Sequence, residues 1–263
     1  MIVAIIQARM GSTRLPGKVL RDVCNRPLLY HVVSRLRHSR RIDRLLVATS
    51  IRQPDDDVAA FCDQQSISCF RGSEDDVLDR YYNAARRYAA DTVVRITADC
   101  PLIDPAILDE IIEAYQKTGC DYASNTLDRT YPDGLDVEVF SFEALKKAWH
   151  EAILVSEREH VTPYIWKNPD KFKIHQIKYK IDRSSLRWTV DEPEDLEFIR
   201  SIYRFLYRPG RIFLMNEVLR LLEERPELMQ INQGFQRNEG YIRSLENDHI
   251  VDDTEMKDRR IIP

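Results

Sequence analysis

No apolar run in the 263-residue sequence approaches the roughly 20 residues that a membrane-spanning helix needs. The opening MIVAIIQ is apolar but short. It has no basic stretch before it and runs straight into Arg9, so it reads as a buried strand rather than a secretion signal, in a protein expected to be cytoplasmic. There is no excess of positive charge either. The 39 Lys and Arg against 43 Asp and Glu give a formal charge of -4, which argues against nucleic-acid binding by a broadly basic surface and leaves room only for a local basic pocket. The five cysteines include no CxxC pair, and none stands beside a histidine at metal-ligand spacing. Reduced, mostly buried thiols are expected, not a disulfide framework or a zinc site. Repeats and low-complexity stretches are absent. What remains, 43% hydrophobic and 31% charged, is ordinary globular composition of a size for one large α/β domain with or without an appendage.

The first 120 residues alternate short β-branched runs with helical patterns. Strands are expected at 2–6, 45–49, 66–70 and 92–97. Leu28, Leu29, Val32, Val33 and Leu36 recur at helical spacing. So do Ile107, Leu108, Ile111, Ile112 and Tyr115, behind an Asp104-Pro105 start signal. Such alternation implies a three-layer α/β/α fold around a mostly parallel sheet. After Cys120 the rhythm changes. Residues 135–140 and 171–180 alternate like strands, 141–166 read as a helical block, 186–190 as a return strand and 193–206 as a helix. We expect a core domain over 1–208, with 121–185 as an elaboration, then an extension over 209–263 whose polar end is a surface wrap or partly mobile.

The strongest chemical signal follows the first strand: Ala8-Arg9-Met10-Gly11-Ser12-Thr13-Arg14-Leu15-Pro16-Gly17-Lys18. Ligands of open α/β sheets bind beyond the carboxyl ends of the strands. Glycine admits backbone N–H groups to a phosphate, and Arg9, Arg14 and Lys18 supply charge-assisted bonds, so the loop is suited to a polyanion. GxGxxG is absent. The Walker pattern fails because five residues separate Gly11 from Gly17 and Val19 stands where Ser or Thr would hold magnesium. The plain alternative is a solvated basic turn, in which three close cations would repel one another.

Further along, Asp99 follows the fourth strand in Thr97-Ala98-Asp99-Cys100-Pro101, where a lone carboxylate suits a hard cation or caps a turn. Asp191, in Val190-Asp191-Glu192-Pro193, is either a second such carboxylate or a helix cap. Asp136 and Glu138 share one face of an expected strand, facing either a cleft or solvent. His160 has no second histidine nearby, so metal ligation is disfavoured.

The loop pattern Q-A-R-x-G-S-x-R-x-P-x-K resembles the nucleotide-binding signature of sugar-activating cytidylyltransferases, a group that includes the CMP-3-deoxy-manno-octulosonate and CMP-sialate synthetases. The match is best to the branch of spore coat polysaccharide biosynthesis protein F (SpsF). RGSEDDVLDRY (71–81), RITADCPLID (95–104), YPDGLDVEVF (131–140), SEREHVTPYIW (156–166) and RWTVDEPEDLEFI (187–199) support it, covering roughly residues 1–205. NEGYIRSLEND (238–248) is also similar.

The resemblance implies a Rossmann-like nucleotidyltransferase fold, related to GT-A enzymes, and transfer of a cytidylyl group from CTP to a sugar or sugar acid. It implies Mg2+ held by Asp99 and Asp191, with Glu192 an outside candidate. Ala8, Arg9, Gly11, Ser12, Arg14, Lys18, Arg71, Arg80, Thr97 and Ala98 would contact the nucleotide, with Arg9, Arg14, Lys18 and Asp99 as the catalytic set. Asp133, Asp136, Glu138, Glu157 and His160 would face the acceptor. A homodimer joined through 121–185 is the expected assembly, with no nucleic acid or membrane as partner. Two competing readings are a glycosyltransferase of similar topology, for which Asp55-Asp56-Asp57 and Asp136-Val137-Glu138 are loose DxD candidates, and a non-catalytic nucleotide-binding scaffold.

Overall fold

The computed structural model describes residues 1–235 and 237–251. Strand β1 (Ile2–Gln7) is an interior strand of the sheet: Val3, Ala4, Ile5 and Ile6 are all fully buried, as an apolar run enclosed on both faces must be. A short hairpin, β2 (Asp22–Val23) and β3 (Arg26–Pro27), follows the first loop. Then come β4 (Arg44–Ser50), β5 (Ser68–Gly72), β6 (Thr92–Thr97), β7 (Tyr122–Ser124), β8 (Glu138–Ser141) and β9 (Ile174–Gln176). Apart from the hairpin they form one sheet in the order β5-β4-β1-β6-β8-β7-β9. The pairs β5-β4, β4-β1, β1-β6 and β7-β9 are parallel, and β8 runs antiparallel to both its neighbours.

The two-residue period of the strands divides the core. Ala4 and Ile6 face α1 (Leu28–Leu36), α2 (Asp56–Gln64), α4 (Pro105–Thr118), α8 (Pro193–Leu206) and α9 (Met215–Glu224). Val3 and Ile5 face α3 (Val77–Arg87), α5 (Phe142–Glu151) and α7 (Pro163–Trp166). A further short helix, α6 (Val155–His160), links α5 to α7, and α10 (Glu239–Glu246) packs on it. The layering is the expected α/β/α. Helix α4 starts as the sequence indicates: Asp104 accepts the Ala106 N–H at 2.8 Å and Pro105 occupies the first turn. Among the described residues no helix is long and apolar enough to cross a membrane, and all five cysteines are free.

Several expected strands are shorter or different. The third begins at 68, not 66, because Ser66 sits at φ 52, outside strand geometry. The 135–140 strand pairs only from Glu138. Before that, the Asn125 side chain takes the Leu135 carbonyl (2.8 Å) and the Val137 N–H (2.9 Å), the bonds a partner strand would need. Of 171–180 only Ile174–Gln176 pairs, since its neighbour β7 is itself three residues long. The helical block 141–166 is three helices, broken around 152–154 and at Val161, whose φ is 73. The return strand at 186–190 does not form. Its backbone bonds instead to Asp133 (Asp133 N to Leu186 O, 2.8 Å; Trp188 N to Asp133 O, 2.6 Å) and to Asp99 (Val190 N to Asp99 O, 2.9 Å), because β8 already occupies the free edge of β6.

Residues beyond 208 continue the same core. Val218, Leu221 and Leu222 of α9 join the cluster of Phe198 and Ile199, and Met215 N donates to Asp104 Oδ2 at 2.7 Å. Part of the polar end wraps the surface through α10, while 252–263 lie outside the described residues.

Candidate active site

The carboxyl ends of β1, β4 and β6 converge, and the first loop lies over them. The buried carboxylate of Asp55 shapes this loop: Oδ1 accepts from Met10 N at 2.7 Å and Oδ2 from Ser50 N at 3.0 Å. Ala8 N donates to Ala48 O (3.1 Å), and Ser12 N and Gly17 N both donate to Met10 O (2.9 and 3.1 Å), curling the loop on itself. Ser12 Oγ accepts weakly from Leu15 N at 3.4 Å. Gly17 adopts φ 67, which starts the turn that turns Lys18 inward.

Lys18 Nζ donates to Asp99 Oδ2 and Asp191 Oδ1, both at 2.7 Å, and to Val190 O at 2.8 Å. Two carboxylates far apart in sequence therefore converge on one point. Asp99 stands just past Thr97 and Ala98, where Ala98 N still donates to Gln7 O at 3.0 Å. Asp191 is placed by Asp195, whose fully buried Oδ2 accepts from Asp191 N (3.0 Å), Glu192 N (2.9 Å) and Arg187 Nη2 (2.8 Å). Burial acts against ionisation of Asp99, but Lys18 and a Thr97 hydrogen bond hold its carboxyl down at about 2. Burial likewise works to lower the Lys18 ammonium, and Asp99 and Asp191 more than offset it, raising it above its ordinary value.

Arg14 joins this mouth, with Nη1 on Glu192 (2.9 Å) and Glu239 (3.1 Å) and Nη2 at 3.3 Å from Asp191. The Arg9 side chain makes no hydrogen bond or ion pair among the described residues, although its charge is felt by Arg80 and His160. The oxygens of Asp99 and Asp191 suit a hard cation: they already surround one cationic atom. Among the described residues no group of three His, Cys, Asp or Glu forms a metal cluster, so water and phosphate oxygens would complete the shell, as magnesium commonly requires.

The profile of the cytidylyltransferase family matches residues 3–225. The chain belongs to the cytidylyltransferase family. An uncharacterized protein of Methanocaldococcus jannaschii is 37% identical over 90% of this chain and 96% of its own. The spore coat polysaccharide biosynthesis protein SpsF of Bacillus subtilis is 36% identical over 86% of this chain and 95% of its own. The solved structure of a cytidylyltransferase from Leptospira borgpetersenii superposes with TM-score 0.83 at 34% identity, over 90% of this chain and 99% of that one. The protein is thus a nucleotidyltransferase with the α/β fold of that family.

Not every residue singled out in this cytidylyltransferase reaches the same mouth. Arg71 is engaged within the sheet edge: Nε to Ser50 O (2.9 Å), Nη2 to Arg52 O (3.1 Å) and Nη1 to Asp56 Oδ1 (2.7 Å). Arg80 is fully buried and donates once, from Nη1 to Ser73 O at 2.6 Å. Its Nε and Nη2 have no hydrogen-bond partner among the described residues. Gly11 lies beside Glu74, which holds Arg52. Of the loose DxD candidates, Asp55 is the loop brace and Asp56 the partner of Arg71.

Of the residues expected to face the acceptor, Asp136 and Glu138 are held by different partners. Asp136 accepts from Arg237 Nη2 at 2.5 Å. Glu138 is enclosed by Arg95, by Tyr122 Oη (2.7 Å) and by Thr162 Oγ1 (2.5 Å), so its charge is spent inside the fold. Glu157 is buried and accepts from Leu154 N at 3.3 Å, at the start of its own helix. Asp133 lies 3.3 Å from Arg237 Nε and 3.8 Å from Arg187. Burial and the neighbouring Asp136 push it up to about 7, against those two cations. His160 packs edge-on against Tyr241, with ring centroids 4.9 Å apart, and burial together with Arg95 and Arg9 draws it down to about 4 despite Glu159.

Sequence reading took Asp55 only as part of a loose DxD candidate and missed Arg187, Arg237 and Glu239. The last two stand in or beside the NEGYIRSLEND stretch, whose similarity to the branch was the available signal. They bring the far end of the chain to Asp133, Asp136 and Arg14.

Proposed function

We propose that this protein transfers the cytidylyl group of CTP to a hydroxyl of a sugar or sugar acid, with Mg2+ as cofactor. The acceptor oxygen forms a bond to the α-phosphorus, the bond from that phosphorus to the bridging oxygen breaks, pyrophosphate leaves and the hydroxyl proton is lost. Such a reaction asks the protein for positioning and charge neutralisation more than for covalent chemistry. Asp99 and Asp191 would hold the divalent ion, which when bound neutralises phosphate charge and lowers the pKa of the attacking oxygen. Arg9, Arg14 and Lys18 with the backbone of residues 11–12 take the β- and γ-phosphates and stabilise the leaving pyrophosphate. Arg80 brings two buried N–H donors without partners, suited to the acceptor atoms of a cytosine ring. Asp133, Asp136 and His160 line the acceptor side, and Glu138 and Glu157 brace it.

The observation that carries this reading is the meeting of Asp99 and Asp191 on one cation beside Arg14. The name of the Bacillus subtilis relative supports a surface polysaccharide as the destination of the product. The reading includes a homodimer formed through 121–185 in the cytoplasm, and a monomer in gel filtration at working concentration contradicts that part. The central test is pyrophosphate release, with the four nucleoside triphosphates screened against a panel of sugar acids, amino sugars and neutral sugars, in magnesium and in chelator. Release that requires CTP, an acceptor of the panel and magnesium supports the reading. Release of a nucleoside phosphate from a nucleotide sugar, with none from any triphosphate, overturns it.

A further inference from the structure

Lys18 holds the same two carboxylates that the proposed metal needs. Its ammonium is 2.7 Å from Asp99 Oδ2 and 2.7 Å from Asp191 Oδ1, with the Val190 carbonyl as a third acceptor at 2.8 Å. All three ammonium protons therefore have partners. The side chain is 11% exposed, so the contact is enclosed rather than a passing surface pair. A magnesium ion bonds oxygen at about 2.0–2.1 Å, and a dication seated between these two carboxylates would stand close to the ammonium and repel it.

We propose that Lys18 is the resident counter-cation of the carboxylate pair and that nucleotide gates the metal site: the ammonium releases Asp99 and Asp191 when a triphosphate offers it other anions. The proposal rests on the metal role read for Asp99 and Asp191 above. The backbone of Lys18 is fixed, with its N–H on Leu15 O at 3.2 Å and its carbonyl accepting from Arg21 N at 3.1 Å, so the flexible four-carbon stem is the moving part. The surrounding charge explains the direction of the gate. In the structure Lys18 and Arg14 stand among the four carboxylates of Asp99, Asp191, Glu192 and Glu239, and Asp191 itself already faces three cations, Lys18, Arg14 and, at 3.4 Å, Arg187. A divalent ion added to that set meets cations already in place. A polyanionic nucleotide reverses the balance and gives Lys18 somewhere to go. By linkage, nucleotide must then tighten metal binding and metal must tighten nucleotide binding by the same factor.

The test uses Mn2+ as the probe on the full chain, without nucleotide, followed by electron paramagnetic resonance and calorimetry. Lys18→Met keeps the stem and removes the charge. It is expected to bind one Mn2+ at least tenfold more tightly than wild type, and Lys18→Met combined with Asp99→Asn is expected to lose that site. Lys18→Gln serves the same comparison if circular dichroism shows the methionine variant unfolded. Mn2+ binding by the Lys18 variants that is equal to or weaker than wild type overturns the gate. Tight binding that survives Asp99→Asn overturns the metal role of Asp99 instead. Absence of CTP binding to wild type in magnesium counts against the proposed function and leaves the Mn2+ comparison standing.

Discussion

The backbone N–H of Val190 donates to the carbonyl of Asp99 at 2.9 Å, so the two carboxylates that meet on Lys18 are brought side by side by main chain as well as by side chains. Asp99→Asn should therefore leave the site's frame in place. Asp191 and the Val190 carbonyl still hold the ammonium. Pyrophosphate release is expected to fall by orders of magnitude. The fold should lose no more than about 1.5–3 kcal/mol, the usual range for a hydrogen bond to a charged group. A thermal melt beside the rate measurement checks both, and near-normal turnover would remove Asp99 from the catalytic set.

Glu239 reaches Arg14 from the far end of the chain, at 3.1 Å, and shares it with Glu192. Glu239→Gln takes one negative charge off a guanidinium proposed to receive phosphate. CTP binding should tighten by up to about fivefold, since partly exposed ion pairs are worth about 0–1 kcal/mol. Titration calorimetry reads the change, and weaker binding would assign Glu239 to holding Arg14 in its working pose.

Arg80 offers the clearest test of base recognition. Arg80→Lys keeps a charge but loses the planar fork whose Nε and Nη2 lie buried without partners. Affinity for CTP should drop at least tenfold, with a smaller loss for inorganic pyrophosphate. Equal losses for the two ligands would place Arg80 on the phosphates.

Acid should weaken the fold through a residue remote from this chemistry. His31 is buried, with Nε2 paired to the Val23 carbonyl at 2.7 Å, and burial with Arg35 nearby draws it down to about 4 from an ordinary 6.5. The unfolded chain takes up that proton first. The stabilisation is present above pH 6.5 and is lost as pH falls towards 4, amounting to about 3 kcal/mol over the window. His160 shifts the same way and Asp133, raised to about 7, the opposite way. The difference between wild type and His31→Gln isolates the term: the pH dependence of unfolding free energy between 4 and 6.5 should flatten by close to one proton. Parallel curves would mean that His31 titrates alike in the folded and unfolded chain.

The residues read most securely from sequence are those whose meaning is local. Asp99 stands two residues past β6 and Lys18 lies in the loop that follows β1, where position alone predicts a ligand-facing segment, and the structure brings the two side chains into hydrogen-bond contact. Asp191 was ambiguous because a helix cap and a metal ligand look alike in one dimension. In the structure Asp195, four residues on, does the capping, which frees the Asp191 carboxylate to face Lys18. Glu138 was misleading for the converse reason. Its strand pattern was legible, but its opposite number Arg95 depends on the register between β6 and β8, which no local pattern encodes. Arg237 and Glu239 act across more than a hundred residues of sequence, so only their final contacts reveal them.

Gly134 crosses the 188–189 peptide with φ 104, and a methyl group there would lie 2.7–2.8 Å from the backbone of Trp188 and Thr189. The acceptor-side loop and the segment leading to Asp191 are thereby riveted at a point where only hydrogen fits. A lineage adapting this scaffold to a different sugar is not free to slide that loop. It must alter side chains around a fixed crossing, and the Asp136–Arg237 pair is where such changes can be made without touching the Asp99–Lys18–Asp191 cluster.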